Sequence, residues 1–85
     1  MMKFVANIQV MPHKELLDPQ GKTVANNMKY LHIDGVEDIR IGKQIRMVIA
    51  ADNATDAEAK VELACKKLLA NLIMETYEFS IAPLN

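Results

Sequence analysis

The chain is 85 residues long, 51% apolar and 25% charged, with 10 basic against 11 acidic residues. This length sets a single domain, residues 1–85, as the expectation, and the apolar share excludes a disordered tail. Balanced charge leaves no basic field to attract nucleic acid, and the lone cysteine, Cys65, excludes an internal disulfide, which favours a reducing cytoplasm.

At the N-terminus, polar Asn7 and Gln9 interrupt the apolar run, so it does not read as a signal peptide. No apolar stretch is long enough to span a bilayer. Phe4, Ala6, Ile8 and Val10 alternate with Lys3, Asn7 and Gln9, which predicts a half-buried strand over 3–11. Pro12, with no amide for a ladder, should stop it. Asp18 is placed to cap a helix that has Pro19 in its first position. Val24, Met28 and Leu31 form a narrow apolar stripe along that helix, which should fade near His32, and Asp34-Gly35 marks a turn.

A second strand is expected over 36–41. Gly42-Lys43 reads as a two-residue type II′ hairpin link, with 44–51 returning antiparallel and Ile45, Met47 and Ile49 inward. Thr55 and Glu58 have capping-box spacing. The helix behind them carries Ala57, Val61, Ala64, Cys65, Leu68 and Leu72 on one stripe, and Asn71 suits a left-handed helix end. Tyr77, Phe79 and Ile81 alternate in a last strand, stopped by Pro83.

The order β-α-β-β-α-β predicts an α+β two-layer sandwich, a four-stranded antiparallel sheet with two helices on one face. Its core should hold Phe4, Ile8, Val24, Met28, Leu31, Ile45, Met47, Ile49, Val61, Leu68, Phe79 and Ile81. The other face, with Val5, Asn7, Gln9, Arg46, Val48, Glu78 and Ser80, would stay bare. That face or an edge strand is the expected surface for self-association.

Gly21-Lys22-Thr23 ends like a phosphate-binding loop, but the glycine required five residues earlier is Leu16. Asp18 would repel a phosphate and Pro19 lacks an amide, so a capped helix start accounts for the stretch. Gly21 itself is not explained by a cap, because glycine inside a helix costs about 1 kcal/mol against alanine. It predicts a close approach to the backbone, with a subunit contact as the preferred cause.

His13 and His32 have no zinc-spaced companions and read as surface histidines. Cys65 reads as a small buried hydrophobe. Capping accounts for Asp34, Glu37, Asp52 and Asp56 at turns and helix starts. The strand over 44–49 lacks the aromatics of an RNA-recognition domain, and no Cys-x-x-Cys follows the first strand as in a metal carrier. No catalytic, cofactor-binding or metal-binding residue is therefore expected. The residues point to a small self-associating interaction module.

Three stretches in order carry a resemblance over nearly the whole chain. They are Asp18-Pro19-Gln20-Gly21-Lys22, then residues 36–43 ending Arg40-Ile41-Gly42-Lys43, then Lys67-Leu68-Leu69-Ala70-Asn71 with Ile73, Glu75, Tyr77 and Glu78. Together they resemble the PurS family, the small subunit of phosphoribosylformylglycinamidine (FGAM) synthase. Leu72 departs from the pattern, where the family commonly has proline.

The resemblance implies a non-catalytic assembly subunit of a glutamine-dependent, ATP-hydrolysing ligase in de novo purine synthesis. Such a subunit pairs with itself as a dimer or tetramer. It bridges the large synthetase subunit and the glutaminase subunit, supporting transfer of ammonia to formylglycinamide ribonucleotide in the cytoplasm. ATP and Mg would be used by the synthetase partner and no cofactor by this chain, with no nucleic acid or membrane involved. Carried over by residue, Asp18, Pro19, Gln20, Gly21, Arg40, Gly42 and Lys43 are expected to hold loop geometry and subunit contacts. Gln20, Arg40 and Lys43 are the better candidates for partner contact. The alternative is a small ligand-sensing regulatory module, ACT-like, acting through a homodimer.

Overall fold

A computed structural model describes residues 1–84 of the chain. The first strand, β1 (Met2–Pro12), buries Phe4, Ala6, Ile8 and Val10, as the alternation requires. It is the centre of a three-stranded sheet of order β2-β1-β3, with β2 at Lys43–Ala51 and β3 at Glu75–Pro83. Both neighbours are antiparallel to it. Ala6 lies opposite Met47 on one side and Ile81 on the other, and Val10 opposite Lys43 and Tyr77. Pro12 does not end pairing early: it is the last strand residue, opposite Glu75.

Helix α1 (Pro19–Asn27) starts where Asp18 and Pro19 place it and tightens into a 3-10 turn over Met28–Leu31. It ends at His32, which takes the left-handed conformation (φ 58°). Helix α2 (Ala54–Ala64) begins earlier than the sequence suggested. Asn53, not Thr55, is the cap, and its side chain accepts the Asp56 amide at 2.8 Å. The Asp56 carboxylate in turn accepts the Asp52 amide at 3.2 Å. Asparagine in an extended conformation caps at least as well as threonine, so the reciprocal pair shifts two residues upstream.

The end of α2 widens over Cys65–Leu69, where the Ala70 amide reaches back to the Cys65 carbonyl at 3.1 Å. The extra residue in this turn moves the apolar stripe out of phase. Leu68, expected in the core, is 81% exposed, while Leu69 packs on the core and Ala70 is buried. Asn71 is not left-handed. It opens the following turn, accepting the Met74 and Glu75 amides at its carbonyl.

Two parts of the expected architecture are corrected. First, among the described residues the sheet has three strands, not four: residues 36–41 form no strand and Gly42-Lys43 no hairpin link. The backbone and side chains of this segment are taken up elsewhere. The Ile41 amide donates to the Asp18 carboxylate at 2.7 Å, and the Arg40 guanidinium donates to the carbonyls of His13 and Leu16. Lys43 opens β2 opposite Val10 instead.

Second, the two helices do not share one sheet face. Helix α2 alone covers the sheet, meeting all three strands, whereas the main packing of α1 is against its own 3-10 extension. The core is accordingly small. Ala6, Ile8, Val10, Val61, Cys65 and Ala70 form its larger part, and Phe4, Ala51 and Ala57 a second cluster. Ile45, Met47, Ile49, Phe79 and Ile81 are half-buried at its edges. Val24 and Met28 are half-buried and Leu31 is 66% exposed, so the α1 stripe lies outside the core. Residues 19–38 form an arm that leaves the sheet after β1 and returns before β2.

Candidate functional site

The sequence motifs meet where the arm joins the sheet. Asp18 caps α1 by accepting the Gly21 amide at 3.0 Å on one carboxylate oxygen, while the other accepts the Ile41 amide. The Gly21 amide, then that of Ile41, hold its carboxyl below the ordinary value, with the Arg40 charge adding to the effect. One side chain thus closes both ends of the arm.

Gly21 is needed at this junction. A Cβ built on it would lie 2.1 Å from the Ile39 carbonyl oxygen. The close approach inferred from the sequence is real, and the Ile39 carbonyl of this chain's own return strap makes it. Gly42 is likewise pressed onto β1, where an added Cβ would lie 2.2 Å from the Val10 carbonyl oxygen.

Arg40 ties the strap to the loop after β1 through the carbonyls of His13 and, at 3.1 Å, Leu16. Its fork is therefore engaged within the chain. His13, read from the sequence as a surface residue, extends the junction to the far side. Its amide donates to the Met74 carbonyl at 2.9 Å, and its Nε2 lies 3.0 Å from the Leu72 carbonyl. Glu75 completes it, accepting the Asn71 amide at 2.8 Å and facing Lys43 at 3.8 Å.

Asp18, Gly21 and Arg40 therefore form one knot, Gly42 and Lys43 flank it, and Pro19 and Gln20 are exposed beside it. His13, Asn71 and Glu75 were not foreseen. The His13 partner Leu72 is 59 residues away, which no local spacing signals, while Asn71 and Glu75 pair with each other across the turn that the widened helix end sets up.

Elsewhere, the Tyr77 hydroxyl donates to the Glu62 carboxylate, joining β3 to α2. That bond, with burial and the Glu62 charge, pushes the tyrosine pKa up to about 12. Burial, then the same charge, raises the Cys65 thiol, in keeping with a packing role. Among the described residues, no three His, Cys, Asp or Glu side chains come together to hold a metal ion, and no helix is long and apolar enough to cross a membrane. The junction is built of backbone amides and carbonyls gripped by a few side chains. Such an arrangement fixes the geometry of the junction.

The family model for PurS, phosphoribosylformylglycinamidine (FGAM) synthase, matches residues 5–83. The chain is 36% identical over 77 residues to phosphoribosylformylglycinamidine synthase subunit PurS of Synechocystis sp., covering 91% of this chain and 77% of that one. Among solved structures it is similar to Thermus thermophilus PurS, with TM-score 0.87 and 34% identity over 98% of this chain and 99% of that one. It is also similar to a chain in the structure of PurLQS from Thermotoga maritima, with TM-score 0.86 and 31% identity over 99% of this chain and 100% of that one.

Proposed function

The chain belongs to the PurS family of FGAM synthase subunits, and on that footing we propose that it is the non-catalytic assembly subunit of that ligase in cytoplasmic purine biosynthesis. The observation that carries the proposal is likeness to a chain in the PurLQS structure that covers 99% of this chain and 100% of that one. The chain pairs with itself and bridges the synthetase and glutaminase subunits, so that ammonia released by one is used by the other. ATP and magnesium are used on the synthetase subunit, and this chain contributes shape.

Within that role, Asp18, Pro19, Gly21, Arg40 and Gly42 set the junction between arm and sheet. Exposed Gln20 and Lys43 present polar groups at its rim, where contacts each contribute modestly. The ligand-sensing alternative has no observation in its favour.

Reconstitution with a matching synthetase and glutaminase tests the proposal. Leaving out this chain should lower glutamine-dependent FGAM formation about tenfold or more. Turnover from added ammonia should fall much less. Full glutamine-dependent turnover by the two larger subunits alone would overturn it.

A further inference from the structure

The chain has three glycines, and they follow Gln20, Asp34 and Ile41. Asp34-Gly35 alone sets a side-chain carboxyl next to the least hindered kind of backbone amide, at the spacing that closes a five-membered ring. The fold leaves this pair open. Residues 33–42 form no helix or strand, and Asp34 and Gly35 are both exposed. Gly35 holds φ 87°, and a Cβ built on it would meet nothing within 4 Å. Among the described residues, no hydrogen bond takes up the Gly35 amide, and neither a hydrogen bond nor an ion pair holds the Asp34 carboxylate. The other four aspartates lack one requirement or more. Pro19 gives Asp18 no following amide, and the Asp18 carboxylate already accepts the amides of Gly21 and Ile41. The side chains of Ile39 and Asn53 crowd the amides that follow Asp38 and Asp52. Asp56 accepts the Asp52 amide and faces Lys60 at 3.2 Å, while the Ala57 amide behind it is held by the Asn53 carbonyl at 3.0 Å.

We propose that Asp34-Gly35 is a site of spontaneous backbone modification, where the exposed loop lets the chain rearrange to isoaspartate with water as the only other reactant. The Gly35 amide nitrogen attacks the carboxyl carbon of Asp34. A new C–N bond forms, the amide proton and the carboxyl hydroxyl depart together as one water, and a succinimide closes. Water then reopens the ring. Addition at the side-chain carbonyl restores aspartate, while addition at the main-chain carbonyl leaves the chain linked through the side chain. One water is lost and one regained, so the isoaspartyl product has the mass of the parent. The new link carries the backbone through one extra methylene. It lengthens the strap ahead of Ile39, Arg40 and Ile41, the residues that the junction holds. A carboxylate remains, so the net charge does not change.

Peptide mapping of the intact chain during long incubation at neutral pH tests the assignment, with a synthetic peptide of residues 31–38 incubated alongside. The fragment carrying Asp34 should gain a form of equal mass and altered elution, preceded by a form lighter by one water. It should do so about tenfold or more faster than the fragment of any other aspartate. Conversion spread evenly over the aspartates would overturn the proposal. The intact chain should convert at a rate within about tenfold of the free peptide. An intact chain that stays unconverted while the peptide converts would also overturn it, because the loop would then be covered or fixed in the folded protein. Asp34→Glu, whose ring would need six atoms, should abolish the new form and leave urea unfolding unchanged, since no bond of the fold engages this carboxylate. Persistence of the new form in that variant would place the reaction at another residue.

Discussion

An alanine at position 21 would have to share space with the Ile39 carbonyl, which its Cβ would meet at 2.1 Å. Alanine gains about 1 kcal/mol of helix propensity there, but overpacking against backbone costs more than that. Gly21→Ala should therefore lower stability by about 2 kcal/mol, read from urea unfolding, and an unchanged midpoint would show that the strap yields freely. Asp18 makes the same junction sensitive to acid. Its folded carboxyl is depressed below the ordinary 3.8, so the stabilisation it provides is present above that value and is lost as pH falls through the folded one. Asp18→Asn should thus be less stable at neutral pH and lose less on acidification, in urea titrations compared at pH near 7 and near 3. Asp56, depressed chiefly by the Asp52 amide and also by Lys60, leaves some acid loss in the variant. The sequence showed that something crowds Gly21 and that Asp18 caps. It could not show that the crowding atom is eighteen residues on in the same chain, because contact across a loop leaves no mark in local spacing.

The widened turn at the end of α2 decides which leucine is structural. Leu69→Ala should cost about 1–3 kcal/mol, whereas Leu68→Ala should fall within about 0.5 kcal/mol, both measured by unfolding at concentrations where the chain is monomeric. Equal effects would mean that the helix keeps its ordinary phase. Strands were the legible elements, since Phe4, Ala6, Ile8 and Val10 declare a face by period two alone. A single extra residue in one turn is invisible to a period-3.6 reading, and that is why Leu68 was assigned to the core. The fourth strand failed for a different reason. Residues 36–41 have a fair strand composition, but Ile41 and Arg40 find stronger partners in an ionised carboxylate and two open carbonyls than an edge ladder offers.

On the scale of the whole molecule, the missing information is where the α1 stripe goes. Val24, Met28 and Leu31 say that a face will be covered, and nothing in residues 19–31 distinguishes the chain's own sheet from a neighbour. The extents of 51 × 29 × 14 Å describe a long, thin body, a shape that leaves the small α2-side core to hold the single chain. If the chain pairs with itself as proposed, pairing contributes to folding and stability should rise with concentration. The closing of the arm's two ends by Asp18 has one more consequence. With entry and exit stitched together, what lies between behaves as an interchangeable cassette. Lengthening or replacing it adds little closure entropy, about 0.6 kcal/mol per doubling, so residues 19–38 can change while the sheet beneath is left unaltered.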